Sequence, residues 1–155
     1  MNYFAATALP LHRRTMELSE IIGSLHEFLA TPSELLWLVD DRVWSDGDWN
    51  AVQGAFDDCE ADLLATEIRT HAEEPGWHHW ASLSDPAGGD PLGVAALLPL
   101  IRVRRAAAEM ILQGIAKGWT GHPEALIPTL VNRAGLTIED IGGAGSFTPP
   151  ERIGR

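Results

Sequence analysis

Ser45-Asp-Gly-Asp-Trp-Asn-Ala-Val-Gln-Gly-Ala-Phe-Asp-Asp-Cys-Glu-Ala-Asp-Leu-Leu64, running on to Glu74 and a Pro75-Gly76 stop, is the stretch whose reading decides the fold. Trp49, Val52, Phe56, Cys59 and Leu63 recur three, four, three and four residues apart, the stripe of an amphipathic helix. The opposite face of such a helix carries Asp57, Asp58, Glu60, Asp62 and Glu67. The spacing therefore predicts a central helix over about 48–74, with one face to bury and one that presents negative charge. Ser45-Asp46-Gly47-Asp48 breaks the chain just before it and offers several N-caps.

Working outward, Leu18, Ile21, Ile22, Leu25, Phe28 and Leu29 have helical spacing and predict a first helix between Leu11 and Ala30. Thr31-Pro32-Ser33-Glu34 matches a capping box with Pro at the first helical position. The five apolar residues Leu35–Val39 that follow also suit a buried strand. The cap upstream, and the lack of a second strand to pair with, favour a helix. Asp90-Pro91 starts another predicted helix that reaches Lys117, with Pro99 kinking or dividing it and Gly118 closing it. His122-Pro123-Glu124 opens a short helix through Leu126, Ile127, Leu130 and Val131 that ends at Gly135. The expected fold is all-α: a single domain over 1–141 with five to six helices packed around the central one. Residues 1–10 form an irregular N-terminal arm in this reading, and the Gly/Pro-containing segment 142–155 an extended or flexible tail.

The chain has 155 residues and a net charge of −11, unevenly placed. Fourteen acidic residues lie between 31 and 98 against only Arg42 and Arg69. The last third is basic by a small margin, through Arg102, Arg104, Arg105, Lys117, Arg133, Arg152 and Arg155. Such asymmetry points to a basic partner for the middle, or to pairing between middle and end. Cys59 is the single cysteine, so an intramolecular disulfide and a thiolate metal cluster are both excluded. On an apolar stripe it reads as a small hydrophobe. Residues 92–101 are the longest apolar run, far short of the ~20 a bilayer needs, and Arg13-Arg14 follow rather than precede the apolar N-terminal residues. A cytoplasmic protein without membrane contact is expected.

Motifs that carry chemistry are sparse. Asp46-Gly47-Asp48 lacks the alternating ligands of a calcium loop, with Trp44 and Arg42 where acids belong. Neither a phosphate loop nor a nucleophile elbow is present. Glu67, His71 and Glu74 would share one face of the central helix, with His78-His79 close behind. This makes His71, His78 and His79 the candidates for a metal site, although no helical Glu-x-x-His pattern supports them. Leu136–Gly142, Thr148-Pro149 and Arg152–Arg155 have the outline of the last two helices of a helix-turn-helix, off by one in register. The −11 charge opposes phosphate contact and disfavours nucleic acid.

The leading expectation is a non-enzymatic binding or assembly protein that engages a basic protein partner or self-associates, with no cofactor. Its surface would be Trp44, Asp46, Asp48, Trp49, Asp57, Asp58 and Asp62, aromatic anchors among acids. A metal-dependent helical protein using His71, His78 and His79 is the alternative, and DNA binding through the C-terminal segment a further one.

Overall fold

The computed structural model describes residues 11–154, so the expected N-terminal arm lies outside the described residues. The elements in order are β1 (Leu11–Arg14), α1 (Leu18–Leu29), β2 (Leu35–Asp40), α2 (Trp49–Gly54), β3 (Leu63–Thr70), β4 (Val94–Arg104), α3 (Arg105–Ala116), α4 (Pro123–Arg133) and β5 (Ile138–Asp140). Two 3₁₀ turns, His78–Ser82 and Pro150–Arg152, complete them. The five strands form one mixed sheet in the order β1-β2-β4-β3-β5. The outer pairs β1–β2 and β3–β5 are parallel, and β4 runs antiparallel to both of its neighbours. The expected all-α bundle is thus corrected to a mixed α/β domain with a five-stranded sheet and four helices among the described residues.

The sheet separates two apolar layers. Ile21, Leu25 and Phe28 of α1, Ala107 and Ile111 of α3, and Leu126, Ile127 and Leu130 of α4 bury against Leu36, Leu38, Leu63, Ile101 and Val103. On the opposite face a smaller cluster gathers Trp37, Cys59, Ala61 and Leu64 under Phe56, Leu100 and Ile141. Leu35–Val39 is a continuous apolar run because both of its faces are covered, which is how strands inside a layered α/β fold read. The capping box upstream works in the other direction from that expected. The Thr31 hydroxyl donates to the Phe28 carbonyl and accepts from the Ser33 amide, closing α1 rather than opening a second helix.

The predicted helix over 48–74 is corrected in the same way. Asp48 caps it as expected, accepting from the Asn50 amide at 2.9 Å, but helix persists only to Gly54. The carbonyls of Phe56, Cys59 and Ala61, which a continuing helix would bond internally, instead accept from the Arg102 guanidinium at 2.8, 2.8 and 3.0 Å. Arg102 is 1% exposed, on the second face of β4. The five-residue stripe was a coincidence of spacing: Cys59 enters the smaller cluster and Leu63 the larger one, on opposite sides of the sheet. No helix face of aligned acids is formed.

The predicted helix over 90–117 is β4 followed by α3, with Pro99 inside the strand. Pro99 lacks an N–H for the ladder. Pairing with β2 stops beside it, at Val39 opposite Leu100, and the register with β3 shifts across the same point. Gly118 and Gly135 end α3 and α4 with φ of +102° and +74°, the left-handed closures that the sequence suggested. The helix-turn-helix outline is also overturned, since Ile138–Asp140 is a strand paired to β3 and the segment after it contains only a 3₁₀ turn. Among the described residues, no helix is long and apolar enough to cross a membrane.

Arg102→Ala would take away the donor of the Ala61 carbonyl, leave those of Phe56 and Cys59 with only the Cys59 amide at 3.1 Å and Arg104 at 3.3 Å, and open a void beneath the 56–61 loop. Each lost bond to a charged donor and the unfilled volume add, for an expected loss of about 3 kcal/mol or more. Urea unfolding monitored by circular dichroism measures it, and a loss below about 1 kcal/mol would contradict this role.

Candidate metal centre

β4 is eleven residues long and β2 only six, so β4 runs on past the end of its neighbour. Where β2 stops, a cavity of about 930 Å³ opens. Its walls are the turn after β1 (Thr15, Met16, Glu17), the turn after β2 (Asp40–Val43), Leu97–Pro99 of β4, the start of α4 (His122, Pro123, Glu124) and His79. The parallel pair β1 and β2 point their carboxyl ends into it, the usual place for ligands in α/β sheets.

On one wall His79, His122 and Glu124 each bring a ligating atom within 4.8 Å of the others, and all three are half-buried. His79 belongs to the 3₁₀ turn His78–Ser82. That turn is fixed by the Trp80 indole N–H, which donates to the Glu74 carbonyl at 2.7 Å. Ser82 ties the two histidines together: its hydroxyl donates to the His79 carbonyl at 2.7 Å and accepts from the His122 amide at 2.9 Å. A bridge between Ser84 and Thr120 reinforces the junction. Gly93 permits the close fit beneath it, since a Cβ there would lie 2.8 Å from the Trp80 ring and 2.9 Å from the Thr129 hydroxyl. His122 is the N-cap of α4, its Nδ1 accepting from the Glu124 amide at 3.3 Å, and Pro123 occupies the first turn.

The imidazoles form a stack. His79 and His122 lie face to face, with centroids 3.6 Å apart and planes 8° from parallel, and His78 sits 3.9 Å from His79 on a tilted plane. Burial, together with the neighbouring His122 and His78, pushes the His79 pKa down from its usual value. That favours neutral imidazole, the form that ligates metals. Two imidazoles and one carboxylate make a ligand set that zinc and non-haem iron accept while leaving positions open.

Of the three histidines expected from sequence, the structure brings only His79 into this group. His71 packs against Trp80 with ring centroids 5.4 Å apart and planes tilted by 57°, and His78 flanks His79 without joining the convergent set. His122, Glu124 and the linking Ser82 were missed. His122-Pro123-Glu124 was legible as a helix start, but nothing local signals its juxtaposition with His79.

The residues expected to form an acidic surface lie in the turn after β2, in and just before α2, and in the loop between α2 and β3. Trp44 is 77% exposed in the turn after β2, and Asp46 and Asp57 are exposed. Asp48 caps α2, and Trp49 lies 6.0 Å from the Arg13 guanidinium. Asp58 accepts from Arg152 at 2.8 Å, and Asp62 accepts from both the amide and the hydroxyl of Thr137 at 2.9 Å. Several of these acids therefore hold local structure. Arg102, Arg104 and Arg105 do not neutralise them as a block. They donate chiefly to backbone carbonyls, and Arg105 closes the α1–β2 turn through those of Leu29, Thr31 and Ser33. Cys59 is buried, its thiol donating to Glu139 at 3.0 Å, and burial with that bond raises its pKa.

Across the cavity, Asp40 is buried and Arg42 is largely exposed. The Arg42 side chain donates through Nε and Nη2 to the two Asp40 oxygens at 2.8 Å each, and its amide donates at 2.9 Å. These bonds, led by the guanidinium and opposed by burial, lower the Asp40 pKa from 3.8 to about 2. Comparison with family models, with curated proteins and with solved structures returned no match for this chain.

A lowered folded-state pKa means stability that is complete above the unfolded value near 4 and lost as pH falls through about 2. Wild type should exceed Asp40→Asn in urea midpoint at pH 5, and the gap should shrink steadily from pH 4 to pH 2. A gap that is constant over that interval would show that Asp40 contributes no pH-linked stability.

Proposed function

We propose that this chain is a metal-binding α/β protein that holds a divalent transition-metal ion through His79, His122 and Glu124. The observation that carries the reading is the convergence of these three side chains, from two separate elements, on the wall of a cavity of about 930 Å³. Three protein ligands leave coordination positions open to the cavity, and its volume suits a small organic molecule. A bound ion of this kind supplies Lewis-acid activation of an oxygen, whether of water or of a carbonyl or phosphoryl group. The protein's part is to fix the ligand set, through the Ser82 bridge and the α4 start, and to shape the space in front of it.

The reading keeps the metal alternative drawn from sequence and replaces two of its residues. An acidic helical scaffold for a basic partner does not survive, because the helix that would present the charge is not formed.

Protein stripped with chelator and titrated calorimetrically with Zn²⁺ should take up one equivalent. His79→Ala, His122→Ala and Glu124→Gln should each weaken uptake about 100-fold or more, whereas His71→Ala should leave it unchanged. Loss of binding in His71→Ala, or full binding in His122→Ala, would refute the assignment.

A further inference from the structure

The stack of His79 on His122 has a consequence for how an ion enters, and the consequence rests on the metal reading above. An imidazole nitrogen holds its lone pair in the plane of the ring, and a Zn–N bond is ~2.0–2.1 Å long. With parallel planes and a 3.6 Å centroid separation, an ion between the rings would stand off each plane by up to roughly half that spacing. It would then meet the face of each ring instead of its lone pair. Both rings cannot ligate one ion while they remain stacked, so at least one must turn.

The surroundings determine which. His79 is wedged: the Trp77 ring meets it edge-on at 4.9 Å and 78°, and His78 lies 3.9 Å away. Trp77 is itself held by Trp80 at 5.0 Å and by the Arg69 guanidinium at 5.7 Å, and it packs against the main core. His122 has far less to hold it. Among the described residues its ring meets no aromatic neighbour but His79, and its cap bond to Glu124 is long at 3.3 Å. Pro128 also removes the amide that would have bonded the Glu124 carbonyl, while the His122 backbone is held through its own carbonyl, so it is the ring that is free to turn.

We infer that loading proceeds by rotation of His122 away from the stack and off the α4 N-cap, about a His79 ring that Trp77 keeps in place. Trp77 is a positioning residue for the ion, and His122 is the moving ligand. In the stacked arrangement His122 serves the helix, and in the loaded one it serves the metal.

The test uses the full chain with Zn²⁺ as the only added ligand, in crystal structures with and without the ion and in calorimetric titrations. The two histidine rings should be parallel without Zn²⁺ and inclined with it, while the edge-on contact of Trp77 with His79 persists. Trp77→Leu should bind one equivalent about 10- to 100-fold more weakly, the usual effect of removing a residue that orients a ligand. Trp77→Met, whose unbranched side chain adapts to an irregular gap but has no ring edge, gives the same comparison if the leucine variant does not fold. One equivalent bound with His122 still stacked, or rings already inclined without Zn²⁺, would overturn the inference and leave the metal reading standing. So would wild-type affinity in the Trp77 variants. Failure to bind Zn²⁺ at all would remove the metal reading and this inference with it.

Discussion

The guanidinium of Arg102 is the constraint on which the second half of the architecture depends. A buried cation is costly unless its donors are used; among the described residues no carboxylate pairs with this one directly, and its Nε is left without a partner. Three backbone carbonyls of the 56–61 segment take its donors instead. The bonds work in both directions, because a loop laid over a sheet would otherwise bury carbonyls without partners. By taking them, Arg102 holds the turns after α2 and leads the chain to Leu63, where β3 begins between β4 and β5. Arg105 repeats the device on the other side, gathering the carbonyls after α1 and delivering Leu35 to β2. Two arginines three residues apart thereby define where two of the strands start.

The candidate site follows from strand lengths set in this way. β2 stops at Asp40, and β4 continues past it with Pro99 at the point where pairing ends. A sheet that loses a strand partway along leaves a notch, and the helix starts and turns around it become its walls. The Ser82 hydroxyl then unites two segments far apart in the chain, as donor to one ligand's carbonyl and acceptor from the other's amide. A single side chain with both capacities is what such a junction requires.

How much of this was legible in the sequence can be argued residue by residue. The core face of α1, the start of α4 at His122-Pro123 and the glycine closures at 118 and 135 were readable, because each depends on local geometry alone. Leu35–Val39 was ambiguous by nature: a run of five apolar residues suits any element buried all round, and only a partner strand decides. Thr31 misled because the same hydroxyl can open one helix or close another. The stripe from Trp49 to Leu63 misled because helical spacing persisted across a loop whose shape depends on Arg102, some forty residues away. The metal candidates differ from the convergent set for a related reason. His71, His78 and His79 were grouped by nearness in sequence, whereas ligands at a notch come from separate elements.

Placing the candidate centre at the start of α4 has an electrostatic consequence. The first turn of a helix carries partial positive charge, which opposes a cation. Only Glu124 among the three ligands brings a negative charge to compensate. Hard ions such as Mg²⁺ and Ca²⁺, bound through several oxygens, would meet that opposition with a single carboxylate in their favour. Ions of the zinc kind gain much of their affinity from imidazole nitrogen, which the helix dipole affects far less. An ion held there as proposed would therefore be selected by ligand type rather than by charge. The acidic excess elsewhere in the chain, spent on caps, turns and ion pairs such as Asp40 with Arg42, is not what defines the centre.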